Sequence, residues 1–228
     1  MRVDALAGLA ARNNADWCDL VCRTHGVDTK FDKDVWVALR RSPPWYPDAV
    51  TLREDLSAGD LLHRIDGSRG CSVKDSFASV DLSADGFRVL FAAEWIYRQP
   101  ARGPAEPSLS WSVVRTGDEL RAWAAAHGGG ETFRPALLDD SAVAILAARS
   151  GGELVAGVIG NRSASVVGLS NLFVLATDPG QIWAEASDAV GAHFPGLPLV
   201  GYEHGVSLEL ARQTGFGSVG PLRVWMND

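Results

Sequence analysis

The stretch of residues 166–203 constrains the fold of this chain more than any other part of it. It opens on a near-continuous apolar run, which is typical of a strand covered on both faces. The turn at 177–180 interrupts this run, and apolar residues then recur at helical spacing as far as Phe194. A second apolar run follows at 199–202. The stretch therefore predicts a βαβ unit, and the helix N-terminus of such a unit is a frequent anion-binding site.

The composition fits a globular protein that buries a core. Of the 228 residues, 46% are hydrophobic and 21% are charged, and no apolar run approaches the ~18 residues of a membrane span. The N-terminus lacks the apolar centre of a cleaved signal peptide. Three cysteines, an odd number, argue against a disulfide framework and fit a reducing compartment. We therefore expect a cytoplasmic protein without contact to a membrane.

The charge balance argues against a general nucleic-acid binder. The formal net charge is −7, and residues 109–228 hold 7 basic against 12 acidic residues and no lysine. Counterion release from nucleic acid needs a basic face. This composition leaves room for a small anionic ligand that is held by backbone amides.

Residues 99–108 contain three prolines and one glycine, and this composition predicts a linker. We therefore divide the chain into an N-terminal α+β portion, 1–108, and a second domain, 109–228. In the first portion, Val35, Trp36 and Leu39 predict a short helix, 61–65 a short strand and 86–98 a long strand.

From residue 109 onward the predicted order is strand, helix, strand, strand, strand, helix, strand, helix, strand. The segments that carry this order are 154–159, 168–174, 199–202, 208–216 and 219–225. Over about 120 residues, this ordered set resembles the GNAT superfamily of acyl-CoA-dependent N-acyltransferases. The resemblance implies an α/β fold with a mixed, mostly antiparallel twisted sheet flanked by helices. Residues 1–108 would be an α+β extension, either a partial GNAT-like half or a cover on the acceptor side.

In the family that this chain resembles, the fourth and fifth strands part, and the gap holds the pantetheine arm of acyl-CoA. The pyrophosphate lies on the following helix, where free N–H groups favour an anion. The positions that match this cofactor site are Leu172, Phe173, Val174, Gly180, Gln181 and Ile182.

The pyrophosphate loop departs from the family pattern. Only Gly180 matches a loop glycine, Asp178 adds a negative charge, and Pro179 removes an N–H donor. The alternative for this loop is a plain helix start with Asp178 as N-cap and Pro179 at the first helical position.

The end of the fifth strand, Tyr202-Glu203-His204, lies where such folds hold the acceptor amine. Glu203 or His204 is a candidate general base and Tyr202 a candidate acid. Ser170 and Asn171, on the fourth strand, are candidates for orienting the acceptor. Each of these residues also has a purely structural interpretation. Tyr202 could be a half-buried strand residue, Glu203 and His204 could lie in a solvated loop mouth, and Asn171 could cap a bulge.

These observations leave three functions open. The first is transfer of an acyl group, such as acetyl, from acyl-CoA to the amine of a small molecule. The second is a transferase of the same fold with another donor, such as an aminoacyl-tRNA. The third is a catalytically inactive GNAT-like binding protein.

N-cap candidates at residues 13–16 and a stop at Gly26 predict a helix that reaches about His25, and Cys18, Cys22 and His25 lie on one face of it. A zinc site would need a fourth ligand, which the neighbouring sequence lacks. Cysteine is also among the most buried residue types. We therefore favour core packing and expect no metal.

Overall fold

The computed structural model describes residues 3–100, 107–163, 165–175 and 178–228, and for Val3 and Asp4 the backbone alone. Its contacts divide the chain into two compact units. The first comprises Met1–Trp95 and Ser218–Asp228, and the second comprises Ile96–Gly217. This division differs from the one drawn at residue 108, which stays a prediction about domains. The linker predicted at 99–108 falls mainly on 101–106, outside the described residues.

The first unit is built on a sheet with the strand order β1-β2-β3-β4-β11-β5. Its elements are α1 (Val3–Thr24), β1 (Thr29–Phe31), β2 (Val35–Ala38), β3 (Ala49–Thr51), α2 (Ala58–Leu62), β4 (Ser72–Asp75), β5 (Phe87–Arg98) and β11 (Gly217–Asn227). Strands β3 and β4 are parallel, whereas the pairs β1–β2, β2–β3 and β4–β11 are antiparallel. The long strand predicted at 86–98 is confirmed as β5.

Two short elements of this unit were predicted wrongly. The helix predicted from Val35, Trp36 and Leu39 is the strand β2, all four residues of which are buried. An apolar run buried on both faces does not alternate, so its spacing also fits a helix. The strand predicted at 61–65 is instead the end of α2 and the turn that follows it. This helix begins where the Ser57 side chain accepts a hydrogen bond from the Asp60 N–H.

The cysteines of the first unit lie in its core. Cys18, Cys22 and Cys71 are free and buried. Loss of hydration raises the pKa of the Cys18 thiol to about 11 and that of Cys22 to about 12, so both remain protonated at neutral pH. Within the part of the chain that the structure describes, no three His, Cys, Asp or Glu side chains are grouped to hold a metal ion.

The second unit contains the predicted βαβ stretch in a sheet of order β5-β10-β9-β8-β7-β6, which β5 enters with its last residues. Its further elements are β6 (Ser110–Val113), α3 (Gly117–His127), β7 (Val143–Ser150), β8 (Glu153–Ser163), β9 (Val166–Val174), α4 (Pro179–His193), β10 (Leu199–Glu203) and α5 (Gly205–Gln213). Strands β9 and β10 are parallel, and the pairs from β6 to β9 are antiparallel. The predicted mixed, mostly antiparallel sheet flanked by helices is confirmed.

Helices α3 and α4 cover opposite faces of this sheet. On one face, Trp183 and Val190 of α4 join a buried cluster with Leu169 of β9. Each such side chain contributes roughly 2 kcal/mol by leaving water. On the other face, the Trp123 indole of α3 donates to the Leu146 carbonyl at 2.9 Å. None of the described helices has the length and apolar character needed to cross a membrane.

Candidate functional site

The parallel strands β9 and β10 pair over a short stretch and then continue with different neighbours. The paired positions are Leu199 with Val167 and Val200 with Gly168. Beyond them, β9 runs on beside β8 to Val174. A Cβ on Gly201 would lie 2.8 Å from the Leu169 carbonyl oxygen, so β10 needs glycine where it passes β9. The pairing of β10 with β9 thus ends at Val200, with Gly201 still close to β9, and the parting that the family resemblance implies for these strands stays a prediction.

A β-bulge marks β9 at this point. Between the pairs Ile159–Ser170 and Gly157–Phe173, two residues of β9 stand opposite one residue of β8. Asn171 lies in the bulge with φ of +53°, a left-handed conformation that asparagine tolerates better than most residues. Its side-chain amide donates to the Ser170 hydroxyl at 3.0 Å. The two predicted acceptor-orienting residues therefore contact each other, and both are half-buried.

The predicted cofactor positions on β9 have their side chains engaged in the core. Leu172 and Val174 pack against the buried cluster that contains Ile182 of α4. The Phe173 ring faces the other way and meets the Trp123 ring edge-on, with 5.1 Å between centroids. A ligand held along this stretch of β9 would therefore bind its backbone.

The N-terminus of α4 is capped by the chain itself. The Asp178 carboxylate accepts a hydrogen bond from the Gln181 N–H at 3.0 Å, and Pro179 has no N–H. The Ile182 N–H already bonds to the Asp178 carbonyl at 3.3 Å. Thr177 of the predicted loop lies outside the described residues. For the Gly180 amide, no bond of this kind to a described residue is seen.

The Gln181 side chain belongs to a hydrogen-bond network on the outer side of α4. Its amide donates to the Ser108 hydroxyl at 2.6 Å and to the Glu185 carboxylate at 3.0 Å. Glu185 also accepts from the Trp111 indole at 3.1 Å and from the Ser108 hydroxyl at 2.6 Å. Although partial burial opposes ionisation, these hydrogen bonds lower the pKa of Glu185. Gln181 therefore helps to hold the chain before β6.

The three predicted catalytic residues lie at the end of β10 and the start of α5. Tyr202 and Glu203 are half-buried, and strand geometry directs them to opposite faces of the sheet. His204 is exposed at the N-cap of α5 and makes no side-chain capping bond there. Burial raises the pKa of Glu203 from the usual 4.5 to about 7. Glu203 thus has the proton affinity of a general base that works near neutral pH.

Two exposed apolar side chains near these strand ends escaped the sequence prediction. Leu175, directly after β9, is 58% exposed, and Val206, in the first turn of α5, is 76% exposed. Parallel strands end at the same edge of a sheet, so both residues belong to the edge that carries Glu203. Their positions directly after two apolar strands were the available signal.

A groove of about 530 Å³ runs along α4. Its lining includes Trp111, Val113, Leu146, Gln181 and Ala189. Gln181 is the one predicted site residue in this lining; Tyr202, Glu203 and His204 are not part of it. The groove is therefore distinct from the end of β10 that carries the candidate base.

Comparison with solved structures identifies the fold. The chain superimposes on a GCN5-related N-acetyltransferase from Kribbella flavida with a TM-score of 0.69 and 14% identity, over 96% of this chain and 95% of the other. A GCN5-related N-acetyltransferase-like protein from Streptococcus suis gives a TM-score of 0.55 with 15% identity, over 98% and 99%. A GCN5-related N-acetyltransferase from Sphaerobacter thermophilus gives 0.51 with 11% identity, over 91% and 84%.

No protein-family model and no curated protein sequence matches the chain. The GNAT fold is nevertheless shown by structure, and it extends well beyond the 120 residues in which the sequence resembles the family.

Proposed function

We propose that this chain, which has the GNAT fold, is an N-acyltransferase that transfers an acyl group, such as acetyl, from acyl-CoA to the amine of a small molecule. The observation that carries the proposal is Glu203. It is a half-buried carboxyl with a pKa of about 7, at the end of β10 and beyond the last residue of that strand that pairs with β9. A desolvated acid at such an edge is a functional-site candidate with a physical rationale.

The proposed reaction needs two proton transfers. An amine attacks a thioester only in its neutral form, and the ionised Glu203 carboxylate accepts the proton that the nitrogen gives up. The nitrogen bonds to the thioester carbonyl carbon, and the bond from that carbon to sulfur breaks. The leaving sulfur takes up one proton. Tyr202, the acid predicted from the sequence, points to the face of β10 opposite to Glu203, so we propose water as the source of this proton when Glu203 is the base. His204 remains the second candidate for the base, although its exposure leaves it in water.

Ser170 and Asn171 are proposed to orient the acceptor. The bulge turns their side chains away from the regular alternation of β9, which is a common way to aim side chains beside an active site. The apolar side chains of Leu175 and Val206 are exposed at the same edge. We therefore favour an acceptor amine that carries an apolar group.

The donor fits this site in part. When bound, the donor would supply the acyl thioester, and the backbone of residues 172–174 would hold its pantetheine amides, since the side chains there are engaged with α3 and α4. The N-terminus of α4 does not fit the pyrophosphate in the usual way. The Gln181 N–H already donates to the Asp178 carboxylate, and Pro179 has no N–H.

The test is a thiol-release assay with acetyl-CoA and a panel of small amines, run on the wild type, Glu203→Gln and Glu209→Gln. Glu209 is a matched control, because its carboxylate is exposed on α5 and pairs with Arg212 at 2.8 Å. Activity that Glu203→Gln loses and Glu209→Gln keeps supports the proposal. Equal activity in all three proteins contradicts the assignment of Glu203.

Two further outcomes correspond to the other functions. Transfer from an aminoacyl-tRNA without transfer from acetyl-CoA would replace the proposed donor. The capped α4 favours that donor, whereas the net charge of −7 opposes it. Binding of acetyl-CoA in a calorimeter without transfer to any amine would indicate a binding protein.

A further inference from the structure

The first turn of α4 does not offer the group of free amides that a pyrophosphate needs. Asp178 places its ionisable carboxyl 3.0 Å from the Gln181 nitrogen, which is the position that a phosphate oxygen would take. The Ile182 amide bonds within the helix, and Pro179 has no donor. Of the amides at 179–182, that of Gly180 remains, and a single amide holds a diphosphate weakly.

The charges of α4 also oppose an anion. The helix sequence contains Glu185 and Asp188 and no lysine or arginine. Hydrogen bonds keep the pKa of Glu185 low, so that this carboxylate stays ionised. Asp188 pairs with Arg98 at 2.9 Å, so the charge of this arginine is already balanced by a carboxylate. A pyrophosphate at the helix start would face the negative Asp178 side chain at close range.

The backbone of β9 is the opposite case. Leu172 and Val174 are partly buried against the cluster that contains Ile182 of α4, and the Phe173 ring contacts Trp123 of α3. With the side chains engaged in this way, we take the main chain of residues 172–174 as the means of holding a ligand. Main-chain pairing with the two amides of a pantetheine arm resembles the addition of a strand to a sheet edge. Such pairing is independent of any phosphate.

From this contrast, and resting on the proposed function, we propose that the enzyme recognises its donor through the pantetheine arm and draws little affinity from the nucleotide. The donor class is then acyl thioesters of pantetheine, with or without the nucleotide diphosphate. Acyl-pantetheine should serve nearly as well as acyl-CoA, because the described start of α4, residues 178–182, offers a diphosphate one amide beside a negative side chain.

The test compares acetyl-CoA with acetyl-pantetheine in steady-state kinetics, with the same amine and the wild-type protein. We expect the two values of kcat/KM to agree within about tenfold, which corresponds to ~1.4 kcal/mol of binding. A kcat/KM for acetyl-pantetheine that is lower by about a hundredfold or more would overturn the inference and leave the proposed function standing. Transfer from neither donor would overturn the proposed function and the inference together.

A charge variant adds a second readout. Asp178→Ser keeps an N-cap oxygen and removes the negative charge, so α4 should remain folded. We expect kcat/KM for acetyl-CoA to rise about fivefold, while that for acetyl-pantetheine stays constant. Glu209→Gln removes one exposed negative charge from α5 and should change neither value. If Asp178→Ser left the ratio of the two kcat/KM values unchanged, the Asp178 carboxylate would not be what opposes the diphosphate.

Discussion

The two units contain the same local arrangement and use it differently. In the first unit, α1 precedes β1, β2 and β3, and α2 connects β3 to the parallel strand β4. In the second, α3 precedes β7, β8 and β9, and α4 connects β9 to the parallel strand β10. Each parallel pair is joined at two positions, Ala49–Val73 and Val50–Lys74 in the first unit. What differs is the chemistry just beyond the paired residues.

In the first unit, buried hydrogen bonds tie the parallel strands together where they would part. The Thr51 hydroxyl accepts from the Ser76 N–H at 2.8 Å, and both residues are fully buried. The carboxylate of Asp75, also fully buried, accepts from the Val80 N–H at 3.0 Å and pairs with Arg223 at 3.3 Å. The Thr51 hydroxyl and the Asp75 carboxylate thus have partners within the fold, whereas the Ser76 hydroxyl and the Arg223 Nε have no hydrogen-bond partner among the described residues. Because the acceptors of this end are occupied, we interpret it as structural.

In the second unit the corresponding edge is partly open. Glu203 is half-buried there, and its raised pKa arises from burial alone. The connecting helix α4 has 15 residues, whereas α2 has 5. The comparison shows that a shared strand arrangement does not identify the active edge. The two edges are distinguished by whether their polar groups already have hydrogen-bond partners within the fold.

Replacement of Glu203 should give the largest effect on activity. We expect Glu203→Gln to lower kcat/KM by about a hundredfold or more, because the proton acceptor is lost while the shape of the side chain is kept. The melting temperature at pH 7 should not fall, since the neutral amide avoids the cost of a buried charge. If Glu203→Gln lowered kcat/KM by less than about tenfold, Glu203 would not be the base, and the second-unit edge would no longer differ in function from that of the first unit.

Replacement of Asp75 should give the largest effect on stability. Asp75→Ala leaves Arg223 and the backbone amide of Val80 without their buried acceptor, which should cost roughly 3 kcal/mol in the free energy of unfolding. Urea denaturation measures this loss, and kcat of the folded protein should stay constant. Asp81→Asn, at an exposed position, is the control. A stable but inactive Asp75→Ala protein would place catalysis in the first unit.

The pH dependence of stability should separate Glu203 from other carboxyls. Its pKa in the folded state, about 7, exceeds the usual 4.5, so the folded protein binds the proton more tightly than the unfolded one. Stability from this group is therefore present at low pH and is lost as the pH rises from 4.5 through 7. Between pH 5 and 8, the wild type should lose roughly 2 kcal/mol relative to Glu203→Gln. Parallel stability curves for the two proteins would contradict the raised pKa.

Thr51 should give the smallest effect. Thr51→Val keeps the shape of the side chain and leaves the Ser76 N–H without its acceptor, which should cost about 1 kcal/mol. Thr51→Ser keeps the hydroxyl and should retain more of the stability. If valine proved as stable as threonine, the hydrogen bond would not be what ties β3 to β4.

The parts of the fold that the sequence predicted are those whose signals are local. The strand at 86–98, the βαβ stretch and the helix start at Asp178 and Pro179 follow from apolar runs and capping residues. Strand β2 was mistaken for a helix because burial on both faces removes the alternation that distinguishes a strand.

The properties of the candidate site that depend on residues distant in the chain could not be predicted from the sequence. The raised pKa of Glu203 comes from burial by the whole fold. The bond from Ser108 to Glu185 joins residues 77 positions apart. Contacts also group residues 218–228 with the first unit, which differs from the division predicted at residue 108. None of these relations leaves a periodic or local signature in the chain.

The most direct test of the central claim is backbone amide exchange of the wild-type protein with and without acetyl-CoA. It compares residues 168–175 of the second unit with residues 49–52 of the first. We expect slower exchange along 168–175 when the donor is present and no change along 49–52, because the proposed donor site lies on β9, whereas buried hydrogen bonds occupy the corresponding end of β3. Protection confined to 49–52 would contradict this claim.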